Sequence, residues 1–112
     1  MDLEAQVSRW EKTVKYFVES DDANRFYLYD YLNDMDGRRI LGECITLFHK
    51  EPKSELLSRI KNADKILKSI TLPTETCIWG KENAEKYGYE NHIHWWYFRR
   101  PKCADSSWNE IK

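Results

Sequence analysis

Five apolar residues near the start of the chain, Leu3, Val7, Trp10, Val14 and Phe17, step by four and three positions, and this spacing constrains the fold most. It places them on one stripe of a helix over about Asp2 to Glu19, with Glu4, Arg9, Glu11, Lys12 and Lys15 on the opposite face. Such a stripe has to be covered by other elements of the chain, so a helical assembly around one core is expected. The 112 residues fit a single domain, 1–112, able to bury that core without disulfide or metal staples.

Helical grammar continues to about residue 71. Ser20-Asp21-Asp22 closes the first helix and offers an N-cap to a second, about Ala23 to Asn33, which is apolar nearly all round through Phe26, Tyr27, Leu28, Tyr29, Tyr31 and Leu32. The segment Asp34 to Gly37 reads as a break, with Asp36 capping a third helix over about Gly37 to His49 that buries Ile40, Leu41, Cys44, Ile45 and Phe48. One continuous helix is the alternative, because a single Gly costs only about 1 kcal/mol relative to Ala. Pro52 suits the start of a further helix, about Lys53 to Ser69, whose stripe is Leu56, Ile60, Ala63, Leu67 and Ile70, broadened by Leu57 and Ile66.

Beyond Pro73 the residues favour extended structure. Thr74 to Trp79 is short and rich in β-formers, Lys81 to Asn91 reads as a polar loop, and His92 to Arg99 is the most strand-like run, with Ile93, Trp95 and Tyr97 on one face. The expected class is therefore α+β, mostly α: about four helices (about 2–71), a two-stranded antiparallel hairpin (about 74–100) and a polar tail (101–112) on which only Trp108 and Ile111 could dock. The face bearing Ile93, Trp95 and Tyr97 is expected to pack on the first and last helices.

Several functional classes are disfavoured by composition. A formal net charge of -1 argues against a general nucleic-acid binder, which carries a positive excess to displace counterions from phosphate. No apolar run approaches the roughly 18 residues of a membrane span, and the opening MDLEAQ lacks the basic and apolar regions of a signal peptide, so a cytoplasmic protein without membrane contact is expected. Cys44, Cys77 and Cys103 are widely spaced, with no CxxC pair, and read as free thiols.

Chemistry is sparse. His92 and His94, two apart on a strand, would share a face and could hold a metal with Cys77 or Cys103, or pair with a thiol nucleophile. Neither arrangement is completed by a local motif, and no enzyme activity, metal or cofactor is expected. Trp95 to Phe98 followed by Arg99 and Arg100 has the composition of a single-strand stacking platform, although aromatic strands more often belong to a core. Asp30, Asp34, Asp36 and Glu43 form a carboxylate group beside Arg38 and Arg39, read first as an ion-pair network locking the second helix to the third, second as an acidic surface for a basic partner, and last as a cluster for a divalent ion or acid/base work.

The run Tyr29 to Leu41, YDYLNDMDGRRIL, with an aromatic, Asn-Asp-hydrophobic-Asp, then Arg and paired aliphatics, resembles the signature of a family of small bacterial proteins. In those proteins a Leu-rich charged helix and a tryptophan-rich strand ending in Arg-Arg-Pro follow, similar to Trp95 through Pro101, so the likeness spans about Phe26 to Pro101. This chain departs from it at Gly37, where an aliphatic is usual, and at Arg39, where an acid is usual. Such proteins are similar in turn to the immunity proteins of bacterial toxin systems, including contact-dependent inhibition, a second step that rests on size, acidity, cytosolic character and sparse chemistry. On that reading the chain is a non-enzymatic protein that neutralises a cognate toxin domain, and Asp30, Asp34, Asp36 and the exposed members of Tyr27 and Tyr31 are the expected contacts, since acidic residues suit a toxin that is itself basic.

Overall fold

The computed structural model describes residues 2–22, 28–48 and 51–102, and the side chains of these except 20–22, 28–30 and 48. Among them are four helices, α1 (Leu3–Asp22), α2 (Leu28–Phe48), α3 (Ser54–Ser69) and α4 (Lys81–Tyr87), with a two-stranded antiparallel sheet of β1 (Thr71–Pro73) and β2 (Arg99–Pro101). The protein is thus α+β and mostly α. The stripe of α1 is buried as its spacing requires, with Leu3, Val7, Trp10, Val14 and Phe17 all at most 4% exposed, and α1 packs on both α2 and α3. From α3, Ile60, Ala63 and Leu67 enter the core, whereas Ile66 faces out instead of widening the stripe.

The break expected at Asp34 to Gly37 is not there: one helix runs from Leu28 to Phe48. Tyr31, Leu32 and Met35 bury its first half, and Leu41 and Cys44 its second, so tertiary packing on both sides outweighs the weak helix preference of Asp36-Gly37. Asp36 is not a cap either, since its carboxylate accepts a hydrogen bond from the Tyr97 hydroxyl. A Cβ built on Gly37 would meet nothing within 4 Å. Gly37→Ala is therefore expected to stabilise the protein by roughly 0.5 to 1 kcal/mol, read from chemical denaturation with an unchanged slope.

The C-terminal third departs most from expectation. The sheet pairs Thr71 with Pro101, Leu72 with Arg100 and Pro73 with Arg99, earlier in the first strand and later in the second than the sequence suggests, and it is joined by a long excursion rather than a tight hairpin. Thr74 to Trp79 is a string of turns, held where the Thr74 and Ile78 amides donate to the carbonyls of Phe98 and Tyr97. The supposed polar loop contains α4, which ends at Gly88 in the left-handed conformation (φ 70) with the Gly88 amide donating to the Ala84 carbonyl. Trp95–Phe98 is a turn of 3₁₀ helix, not a strand, so the alternation of faces fails. Trp96, Tyr97 and Phe98 are buried in succession, Trp95 is only partly covered, and Ile93 is exposed.

Arg99 has a structural task in the Arg-Arg-Pro segment. Its Nε donates to the Thr71 hydroxyl at 2.7 Å, and its Nη2 to the carbonyls of Thr71 (2.9 Å) and Lys68 (3.1 Å), so a cation sits at the C-terminal end of α3 where the helix dipole favours it.

Candidate functional site

The centre of the molecule is tied by a residue that composition and motif reading passed over. Asp64 on α3 receives a bidentate Arg38 from α2, Nε and Nη2 each at 3.0 Å, and the Trp10 indole N–H from α1 at 2.9 Å. Arg38 also lies over the Trp96 ring, 4.8 Å from its centroid. One carboxylate thereby links three helices and, through Arg38, the 3₁₀ turn. This replaces the expected pairing of Arg38 with its helix neighbours. Asp64 occupies an ordinary polar position in KNADKIL, with no signal in its surroundings to mark it.

Arg39 points elsewhere and builds a second chain of polar contacts. Its Nη1 donates to Glu43 at 3.2 Å, one turn along α2, and its Nε to the Tyr97 hydroxyl at 3.2 Å; that hydroxyl in turn donates to Asp36. Burial, and then the bond to Asp36, push the Tyr97 hydroxyl far above the ordinary tyrosine range, so it stays a donor. The row Asp36, Arg39, Glu43 lies along one side of α2 and is held against the 3₁₀ turn by Tyr97. Beside it opens a cleft of about 410 Å³, lined by Asp36 and Arg39 of α2 and by Trp79, Asn83, Tyr87 and Tyr89. Tyr87 and Tyr89 stack at 5.8 Å, and Tyr89 meets Tyr97 at 4.5 Å.

The expected contact residues do not form one patch. On a continuous helix, Asp34 and Asp36 lie about 200° apart around the axis. Asp36 borders the cleft, whereas Asp34 borders a groove on α1 with Arg9, Lys12 and Tyr16. Tyr31 is fully buried, 5.1 Å from Phe17, and drops out as a surface contact. Tyr27 and the side chain of Asp30 lie outside the described residues, as do Cys103, Trp108 and Ile111.

The stacking platform is not available as drawn, because three of its aromatics are buried in succession and Arg99 is committed to α3. Cys44 and Cys77 are both buried, and burial raises the Cys77 thiol above its ordinary pKa, against a nucleophilic role. Among the described residues no group of three or more His, Cys, Asp or Glu lies where it could hold a metal ion, and no helix is long and apolar enough to cross a membrane.

His94 borders this aromatic cluster, with its ring 5.2 Å from Tyr89 and 5.7 Å from Trp96, and its Nδ1 accepts from the Glu90 amide at 3.2 Å. Burial, then the charge of Arg39, lower its pKa below the ordinary 6.5, with Glu90 and Glu43 opposing and His92 assisting. The unfolded chain therefore binds the proton more readily, so stability falls as pH drops through the window below about 6.5. Urea midpoints at pH 7.5 and 5.5 should fall for the native chain and change less for His94→Gln. Any contribution from Glu11, whose carboxyl Arg59 holds below its ordinary value, belongs to more acidic solution, below about 4.5.

Comparison with protein-family models, with curated proteins and with solved structures finds no match to the chain.

Proposed function

We propose that this chain is a non-enzymatic binding protein of the immunity type, acting in the cytoplasm, which neutralises a cognate toxin domain by covering a surface that the toxin needs. The observation that carries this reading is the α2 face beside the cleft. Asp36, Arg39 and Glu43 are set in place by one another and by buried Tyr97, next to Tyr87 and Tyr89. Ionic groups held on a rigid helix beside accessible tyrosines make a preorganised recognition surface, which loses little entropy on binding. Tyrosine and arginine are also the residues that anchor protein interfaces.

A toxin that attacks nucleic acid presents a basic surface, and Asp36 and Glu43 suit it. The test is growth protection: the product of the gene directly upstream is expressed in a sensitive strain with and without this chain. Arrest relieved by co-expression, with an equimolar complex on size exclusion, is the expected result. Arrest that persists, with no complex formed, would remove the immunity reading.

A further inference from the structure

We infer that the exposed side of α3 and the adjoining end of β2 form a second binding surface, which takes the phosphate backbone of a single-stranded nucleic acid. It shares no residue with the α2 cleft and does not depend on the toxin reading.

The formal charge of -1 conceals a region of one sign. Lys61, Lys65 and Lys68 recur at i, i+4 and i+7, so they share one stripe of α3, and all three are exposed. At the end of the helix this stripe meets β2, where Arg99 donates to the Lys68 carbonyl at 3.1 Å and the Lys102 ammonium to the Ser69 carbonyl at 2.9 Å. Arg100, exposed and paired with Leu72 across the sheet, faces the same side as Lys102 two residues on. Residues 65–74 and 91–102 contain no acid. Asp64, the one carboxylate within the stripe, is turned inward to Arg38 and Trp10. Among the described residues none of these six cations is in an ion pair. Like charges four apart on a helix repel, so the stripe costs stability until something anionic covers it.

Spacing and one aromatic ring select the polyanion. At a rise of about 1.5 Å per residue the three lysines span about 10 Å along α3, a row that follows a repeating anion. Trp95 lies at the end of that row, half-covered, with the Lys68 ammonium 4.5 Å from its ring centroid. A base stacked on this face moves the ammonium toward its own phosphate, so the ring and the cation each keep a partner. An acidic peptide offers carboxylates but no flat ring for Trp95, and a duplex keeps its bases stacked on one another. Within the run from Trp95 to Arg100, buried Trp96, Tyr97 and Phe98 belong to the core. Trp95 and Arg100 remain for a ligand, and the fold joins them to lysines of α3 that are distant in sequence.

The full chain is titrated into a short fluorescein-labelled oligothymidylate and followed by anisotropy. Saturable binding in dilute salt is expected, weakened about fiftyfold on a fourfold rise in salt, as about four phosphate contacts through Lys61, Lys65, Lys68 and Arg100 require. Lys61→Gln with Lys65→Gln removes two of these contacts, and should weaken binding by about tenfold or more while roughly halving the salt slope. Lys81→Gln with Lys86→Gln on α4 changes the net charge by the same amount elsewhere, and should alter affinity by at most about twofold. Trp95→Leu should weaken binding severalfold and leave the salt slope unchanged, with folding checked by circular dichroism. Equal losses in the two lysine pairs would mean diffuse attraction and overturn the site. A duplex of the same length bound as tightly, or poly-glutamate competing as well as the oligonucleotide, would overturn the choice of a single strand, and so would the absence of saturable binding.

Discussion

Asp64→Ala is expected to destabilise the protein by roughly 3 to 4 kcal/mol, because a single carboxylate satisfies two groups that have little other access to solvent. The side chains of Arg38 and Asp64 are only 13% and 14% exposed, and Trp10 is 1% exposed. Removing the carboxylate leaves a guanidinium nearly enclosed without its counter-ion and an indole N–H without its acceptor. The loss is a large part of the roughly 5 to 15 kcal/mol that holds a domain together, and it should lower the thermal midpoint by about 10 °C or more. Asp64→Asn, which keeps an acceptor for Trp10 or Arg38 but not the charge, should cost about half as much. A change of only about 1 kcal/mol for Asp64→Ala would mean that the pair behaves as a surface ion pair and that the three helices are tied by apolar packing alone.

Trp96→Ala is expected to cost roughly 3 to 5 kcal/mol and Trp95→Ala only about 1 to 2. A strand packed on the helices through Ile93, Trp95 and Tyr97 would have buried Trp95 there and put Trp96 on its opposite face. The 3₁₀ turn does the reverse, leaving Trp96 at 5% exposure under Arg38 while Trp95 stays half-covered with Lys68 over its ring at 4.5 Å. Loss of Trp96 opens a cavity beside Tyr97 and removes the surface on which Arg38 rests. Its effect should therefore be non-additive with that of Asp64→Ala, with a coupling on the order of 1 kcal/mol in a double-mutant cycle followed by urea denaturation. Equal costs for the two tryptophans would contradict the 3₁₀ geometry.

The parts of the fold legible in the sequence were those written as a long period. The stripes from Leu3 to Phe17 and from Leu56 to Ile70 fix α1 and α3, since nothing but a helix buries residues at that spacing. Asp36-Gly37 misleads because local propensity weighs less than burial of Met35 and Leu41 on either side. KENAEKY has no apolar stripe and buries no residue, so α4 could be found only from its flanking Gly80 and Gly88. The run HIHWWYFR has strand composition, and the turn that precedes it, where the His94 amide donates to the Glu90 carbonyl, directs it into a 3₁₀ coil.

The candidate site was less legible still. Asp36 was named from its charge, but the partners that make it part of a site, Tyr97, Tyr87 and Tyr89, are distant in sequence and converge only through tertiary packing. Asp34 and Asp36 fall on one surface only if the helix breaks between them, and the continuous α2 turns them about 200° apart. Asp64 illustrates the general difficulty, since a lone acid on a polar helix face looks the same whether it meets solvent or two buried donors.

That separation of Asp34 from Asp36 allows the central claim, recognition through the cleft face of α2, to be tested by a single comparison. The affinity for the toxin domain whose arrest the chain relieves is measured by isothermal titration calorimetry for the native protein, Asp36→Lys and Asp34→Lys. The account predicts a loss of about a hundredfold or more for Asp36→Lys and at most about twofold for Asp34→Lys, with both variants folded. Full affinity in Asp36→Lys, with the loss appearing in Asp34→Lys, would place recognition on the α1 side of the helix and contradict it.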